Sequence, residues 1–246
     1  MCGIGGIISE DINFDFNQIE KFDKYLKRRG PDDKGSFRID NCAFFHRRLS
    51  IIDTSSLGRQ PFFDESGTIM CICNGEIYNY LNLRNKLISK GHRLKSLSDN
   101  EILVHLYEEY GDSFIEYIEG EFAIAIWDSR KKKLLIYRDR FGVKPIYYLF
   151  DSKTFYFSSD FTSLAIEFLS NKKIDIEALN QFINFRYVPA PATLFQDIRK
   201  IPGGHYIKIE NKSIKLLKYY SLVYRTKKIN EEDAIQQVRK KTFEAI

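Results

Sequence analysis

Residues able to do chemistry stand first at the N-terminus, where the chain begins Met1-Cys2-Gly3-Ile4-Gly5-Gly6-Ile7. Removal of Met1 would place a thiol and a free α-amine on one residue, so Cys2 could supply both nucleophile and base. An ordinary cysteine has a pKa near ~8.5 and an α-amine one of ~7.7 to 8.0, so the amine is partly neutral at pH 7 and can accept the thiol proton. Nucleophiles activated by an N-terminal amine are an established route to acyl transfer. The competing reading is a buried thiol that only opens a strand. Gly3, Gly5 and Gly6 favour the first, because they let backbone or ligand come close. They are not a dinucleotide fingerprint, since no strand precedes them and no helix follows.

Three further stretches carry polar groups inside apolar ones. Residues 43–53, AFFHRRLSIID, read as a strand in which Arg47 and Arg48 point to opposite faces. One can reach solvent while the other faces a site or a buried partner. Residues 68–80, TIMCICNGEIYNY, read as a buried strand ending at the turn dipeptide Asn74-Gly75. That dipeptide is either a plain hairpin turn or a pair of donors, an amide side chain and an unhindered N–H, for an oxyanion. In LSDNEILVHLYEEYG, residues 97–111, Ser98 and Glu101 form a capping-box pattern that puts Asp99 in the first turn of a helix. The helix dipole accounts for an acid there whether or not it has a task.

The elements that must position these groups follow from periodicity. Phe16, Ile19, Phe22 and Leu26 recur at helical spacing, and RRGPDDKG at 28–35 reads as a turn-rich loop. A short helix at 112–118 leads to strands at 121–128, 132–139, 144–150 and 155–160, and then to a helix at about 161–169. Many strands with paired helices between them imply sheets packed on one another under helical layers. From about residue 171 the character changes to a helix, a proline-marked linker, a hairpin (HYIKIE, SIKLLKYY) and a final helix with no stop signal. The expected division is therefore 2–170 and 171–246, the second part an incomplete domain.

Composition narrows the class. The 246 residues carry 38 Lys+Arg against 33 Asp+Glu, and the basic runs at 27–29, 130–133 and 239–241 are far apart with no nucleic-acid motif among them. No apolar stretch approaches the ~20 residues of a membrane span, so neither nucleic acid nor a membrane is expected as partner, and a cytoplasmic setting is. The cysteines at 2, 42, 71 and 73 are too few for a secreted disulfide framework. Cys71 and Cys73 lack a second Cys/His pair at ligand spacing, and the histidines at 46, 92, 105 and 205 are scattered, so no metal is expected.

As a set, MCGIGGI, RRGPD, HRRLSIID, CNGEIYNY, SDNE, GEFAIAIWD and DRFGVKPIYY, in this order and spacing, resemble the class II glutamine amidotransferase domain of the glutamine-dependent asparagine synthetase family. The resemblance spans roughly residues 2–165. RLSIID and DRFGVKPIYY point to the asparagine synthetase branch, and residues from about 172 on, including LFQDIRKIPGGHY, resemble the start of that family's ATP-dependent synthetase domain.

The resemblance implies an α+β chain with an N-terminal nucleophile hydrolase fold, a four-layer αββα sandwich, followed by a fragment of a second α/β domain. It implies that Cys2 attacks the glutamine side-chain amide after its own α-amine, through a water, has taken the proton. Asn74 (side chain) and Gly75 (backbone N–H) would form the oxyanion hole, Arg48 would hold the substrate α-carboxylate, and Asp99 with Glu76 would bind the α-ammonium. The glutaminase site would need no cofactor. ATP and Mg belong to the synthetase domain, whose SGGLDS-type pyrophosphate loop does not occur in these residues. The expected partners are L-glutamine and a synthetase domain as ammonia acceptor, with a homodimer compatible. Ammonia delivery to another carboxylate or a sugar, and a non-catalytic glutamine-binding module, are the alternative readings.

Overall fold

Alternation along a strand sorts side chains onto two faces, and the computed structural model, which describes residues 1–245, shows what each face meets. In chain order the strands and α-helices are β1 (Gly3–Ser9), α1 (Asp23–Leu26), β2 (Asp33–Ile39), β3 (Cys42–Arg48), β4 (Phe62–Phe63) and β5 (Ile69–Ile77). They continue with α2 (Tyr80–Ser89), α3 (Ile102–Tyr110), β6 (Gly120–Asp128), β7 (Lys133–Arg138), β8 (Tyr147–Asp151), β9 (Thr154–Ser158) and α4 (Phe161–Glu167). The remaining elements are α5 (Ile176–Phe185), β10 (Ile198–Lys200), β11 (His205–Glu210), β12 (Ser213–Lys218) and α6 (Glu231–Glu244). The strands form two antiparallel sheets, ordered β10-β8-β9-β1-β3-β2 and β12-β11-β7-β6-β5-β4.

Three apolar cores define four layers. Ile4, Ile8, Phe44, Phe155 and Phe157 of the first sheet meet Met70, Ile72, Ala125, Trp127 and Ile136 of the second. On the outer face of the second sheet, Cys71, Cys73, Ile124 and Ile126 lie under Leu83 and Leu87 of α2 and Ile102, Leu103 and Leu106 of α3. On the outer face of the first, Ile7, Ala43, Phe45 and Tyr156 lie under Phe16, Phe22, Leu26, Leu164 and Ala165. The order helix, sheet, sheet, helix is the αββα sandwich. Glycines in β1 permit the outer layer to sit close: a Cβ at Gly3 would meet Leu26 Cβ at 2.9 Å and one at Gly5 would meet the Phe22 ring at 2.9 Å.

Four local expectations change. Residues 28–35 are not all loop, because β2 begins at Asp33 to pair with β3. The strand at 43–53 ends at Arg48, and residues 49–53 turn away. Ser98 and Glu101 form no capping box: α3 starts at Ile102, and the Glu101 carboxylate instead accepts the N–H groups of Lys95 and Ser96, each at 2.7 Å, and the Ser96 hydroxyl at 2.7 Å. Asp99 therefore lies in the turn ahead of the helix. Asn74-Gly75 is not a turn, because β5 runs through it to Ile77 with Asn74 opposite Ala123 and Gly75 opposite Phe122. A hairpin turn there would need positive φ, which neither residue adopts.

The change of character near residue 171 is not an edge of the sandwich. β10 pairs with β8 in one sheet, and the β11–β12 hairpin pairs through β11 with β7 in the other, so both sheets gain strands from the 171–246 segment.

Candidate active site

Period-2 alternation explains how distant residues meet at one end of the inter-sheet layer. Ile4, Phe44 and Ile72 point between the sheets, so Cys2 just ahead of β1, Arg48 at the end of β3, and Asn74 and Glu76 on β5 fall on the same inner faces. A pocket at this end is lined by Cys2, Arg48, Asn74, Gly75, Glu76 and Asp99, all six residues singled out in the sequence. Leu49, Gly58, Gln60, Ser98, Asn100 and Lys144 complete much of its wall.

The Cys2 thiol is held by one residue's backbone. The Leu49 N–H donates to Sγ at 3.4 Å, and Sγ lies 3.7 Å from the Leu49 carbonyl. Arg29 Nε, from the RRGPD loop, donates to the Cys2 carbonyl at 3.2 Å. Burial pushes the Cys2 thiol above its ordinary pKa, although the Leu49 N–H, the N-terminal charge and Arg48 pull it the other way. The thiol is therefore protonated at neutral pH.

The two arginines divide as alternation requires. Arg47 turns outward and pairs with Asp23 of α1. Arg48 turns inward, where its guanidinium donates to the carbonyls of Ser55 (2.7 Å), Ile52 (3.4 Å) and Asp53. These bonds use three of its five N–H groups and fix its plane. Gly58 makes room for it, since a Cβ there would lie 2.1 Å from Arg48 Nη2.

The strand phase decides what β5 offers to the pocket. Tyr78 N–H donates to the Glu119 carbonyl at 2.7 Å. Facing antiparallel residues alternate between bonded and non-bonded pairs, so Glu76 and Asn74 direct their backbone groups at β6 while Cys73, Gly75 and Ile77 direct theirs at the opposite edge. Beyond the short β4, side chains cap that edge. Gln60 spans Cys73, accepting its N–H at 2.6 Å and donating to its carbonyl at 3.2 Å. Asn100 Nδ2 donates to the Gly75 carbonyl at 3.3 Å, and Asp99 Oδ2 accepts the Ile77 N–H at 2.9 Å. Among the described residues the Gly75 N–H has no protein acceptor. Beside it the Asn74 side chain, 1% exposed, has both Nδ2 and Oδ1 buried without a partner.

Gly75 has no space for a side chain, because a Cβ would lie 2.2 Å from the Glu121 carbonyl and 2.6 Å from Phe122 Cα. Both obstacles are backbone of the adjacent strand. Gly75→Ala is expected to destabilise the fold by about 1–3 kcal/mol, lowering the melting temperature by about 2–4 °C per kcal/mol in a calorimetric scan.

The acidic side of the pocket has its own character. Burial pushes the Asp99 carboxyl up, the neighbouring Glu76 charge adds to the rise, and the Ile77 N–H opposes it. Lys144, also in the wall, is paired with Glu121 at 2.7 Å. None of the four histidines lines the pocket, so no Cys/His dyad forms there. The sequence reading missed Gln60, Asn100, Arg29 and the Leu49 backbone. Arg29, Leu49 and Asn100 lie within the motifs RRGPD, HRRLSIID and SDNE, whereas Gln60 lies in none, and the bonds that Gln60 and Asn100 make to the edge of β5 are announced by no residue pattern.

Two facing antiparallel sheets between helical layers, with a cysteine at the head of an inner strand facing an unpaired amide from the opposite sheet, define the N-terminal nucleophile hydrolase class. Within that class the chain belongs to the glutamine amidotransferase domain family, which it matches over residues 1–220. It is 33% identical over 251 residues to asparagine synthetase [glutamine-hydrolyzing] 1 of Bacillus subtilis, a match covering all of this chain and 39% of the relative. It is 32% identical over 264 residues to amidase chry2 of Gibberella zeae, covering all of this chain and again 39% of the relative. The fold resembles the glutamine phosphoribosylpyrophosphate amidotransferase of B. subtilis, with a TM-score of 0.67 at 16% identity, over 92% of this chain and 50% of that one. The chain thus spans well under two thirds of the length of these relatives.

Proposed function

We propose that this chain hydrolyses the side-chain amide of L-glutamine and that the ammonia serves an ATP-dependent amidation of aspartate carried by the remainder of a longer, asparagine synthetase-like protein. The observation that carries the glutaminase reading is the pair of unsatisfied donors, Asn74 Nδ2 and the Gly75 N–H, in the pocket that holds Cys2. Donors left unpaired in a folded protein cost stability, and they are the groups an oxyanion requires.

In this reading Met1 is removed and the freed Cys2 α-amine takes the thiol proton through a water. Sγ attacks the amide carbon, and the oxyanion receives hydrogen bonds from Asn74 and Gly75. The protonated amine passes its proton to the leaving nitrogen, ammonia departs, and a thioester remains. The same amine then deprotonates a water that attacks the thioester. Glutamate leaves and the thiol regains its proton. Arg48 directs its remaining N–H groups at the substrate α-carboxylate, for which a guanidinium is suited. Asp99 and Glu76 pair with the α-ammonium, which relieves the repulsion between them.

No cofactor enters this scheme, and ATP and Mg are assigned to the remainder of the protein. Apolar side chains left exposed on α5 (Ile176, Ile183, Phe185) and α6 (Ile235, Val238, Phe243) support a further domain packed against this one. A cytoplasmic setting belongs to the same reading, supported by four unpaired cysteines. Among the described residues no helix is long and apolar enough to cross a membrane. Similarity to an enzyme named as an amidase favours a second reading of the acceptor, a carboxylate other than aspartate.

The test is release of glutamate from glutamine, matched by free ammonia and amidated acceptor taken together, with the N-terminal mass measured on the same sample. Absence of release by the full-length protein with a free Cys2, supplied with aspartate and ATP, would overturn the glutaminase reading. Substrate binding should also depend on pH. The raised Asp99 carboxyl must be ionised to hold the α-ammonium, so glutamine affinity of the Cys2→Ala variant, followed by calorimetry, is expected to fall with acid at a higher pH than an ordinary aspartate would give. Glu76→Gln removes one of the causes raising that carboxyl and should move the fall to lower pH.

A further inference from the structure

Away from the pocket, on the helical layer over the second sheet, four potential ligand side chains converge from three segments. Glu65 comes from the loop between β4 and β5, His92 from the turn after α2, and His105 and Glu108 from α3, where i and i+3 share a helix face. Their ligand atoms all lie within 4.8 Å of one another. His92 Nδ1 is 3.7 Å from Glu65 Oε1 and 3.6 Å from Glu108 Oε2, and His105 Nδ1 is 3.4 Å from Glu65 Oε2. A tetrahedral ion with bonds of about 2.0–2.1 Å sets its ligands about 3.3–3.4 Å apart, so the pairs at 3.4–3.7 Å are near that spacing and the wider pairs, within 4.8 Å, close in on binding.

Two independent features point to a ligand and not merely to ion pairs. His105 is 1% exposed, yet neither ring nitrogen has a hydrogen-bond partner; the Glu65 carboxylate is near its Nδ1 but not aligned to accept from it. A buried imidazole with a misaligned carboxylate at this distance fits a ring whose lone pair points at a shared centre. His92 is oriented from behind: its Nε2 lies 3.1 Å from Glu109 Oε1, and Glu109 is itself paired with Lys90. A carboxylate on the far nitrogen is the usual support of a metal-bound imidazole, and it leaves Nδ1 turned toward Glu65 and Glu108.

We propose that Glu65, His92, His105 and Glu108 form a binding site for a first-row divalent transition cation, zinc being the ion that two imidazoles and two carboxylates suit best. The ion ties the β4–β5 loop and the end of α2 to α3. Asp99 and Asn100, which hold the Ile77 N–H and the Gly75 carbonyl at the pocket, lie just ahead of that helix. The site is structural and independent of the glutaminase chemistry.

The test uses untagged full-length protein stripped with a chelator, titrated with zinc sulfate by calorimetry and with cobalt(II) by visible spectroscopy. One zinc is expected per site, together with the intense visible bands of four-coordinate cobalt and a rise in melting temperature on adding zinc. His92→Gln, at the turn after α2, and Glu108→Gln, at a partly exposed side chain, should each weaken zinc binding by at least about tenfold and cancel the thermal rise. They carry the test because His105→Asn, in the core, can fail for lack of folding alone. Cys2→Ala should bind zinc as the unaltered protein does. Zinc that disappears with Cys2→Ala, or that is unchanged in both His92→Gln and Glu108→Gln, or no binding at all, would overturn the proposal.

Discussion

A chain in which two large residues inserted ahead of Cys2 block removal of Met1 is expected to release no measurable glutamate while keeping its thiol, pocket and fold. The reason lies in the state of the thiol. Burial raises the Cys2 pKa from a value already above neutrality, so the thiol is protonated at pH 7. No histidine lines the pocket, and its acids Asp99 and Glu76 are assigned to the substrate α-ammonium in the proposed reaction. In the proposed reaction the base is the α-amine of the same residue, and an amide nitrogen cannot serve in its place. Cys2→Ala, which removes the nucleophile and keeps the amine, should be equally inactive. The blocked chain therefore separates loss of base from loss of thiol, since its thiol still reacts slowly with iodoacetamide and that of Cys2→Ala is gone. The measurement is glutamate release beside N-terminal mass for all three proteins. Turnover by a chain with the blocking residues still attached would exclude the amine as base.

Asn74→Ala is expected to lower kcat by about 10²–10³-fold, equivalent to about 2.7–4 kcal/mol in the barrier, with a much smaller change in KM. In the proposed reaction the amide donates to the oxyanion only once the tetrahedral species forms, so its loss should fall on the chemical step. Stability should respond differently. In the free protein both polar atoms of Asn74 are buried without partners, so alanine removes an unsatisfied amide from the inter-sheet layer. A small cavity opposes that gain, and the melting temperature should stay within a few degrees of the parent value. Steady-state kinetics with a thermal scan decide the matter. A large drop in melting temperature with unchanged kcat would assign Asn74 to structure instead of catalysis.

Much of the site was legible because its residues sit in strands or just beside them. Once Phe44 and Ile72 are inner, so are Arg48 and Asn74, and the count of two along the chain is enough to say that Arg47 must face away. The four-layer order could also be read, since apolar strands between amphipathic helices have few other ways to cover both faces of each sheet. The Asn-Gly dipeptide misled as a local signal. Its turn preference is overruled by nine consecutive pairings with β6, and glycine is required there for the approach of the Glu121 carbonyl rather than for a positive φ. Ser98 and Glu101 misled in the same way, because Glu101 has more donors to satisfy in the preceding loop than at its helix.

The amino-acid sequence by itself determined the six candidate residues that share the pocket, the faces of the strands that carry them and the helical layers outside. Those properties depend on residue type and short periodicities, which are local. Tertiary structure alone decided which groups go unpaired. The Gly75 N–H is free because β4 stops short of it, Gln60 and Asn100 cap its neighbours, and the phase set by Tyr78 and Glu119 turns it from β6. It likewise decided that strands after residue 171 complete both sheets, and that His92 and His105, scattered in the sequence, meet Glu65 and Glu108. Hydrogen-bond satisfaction and ligand convergence are set by long-range register between segments, and no window of the chain contains both partners.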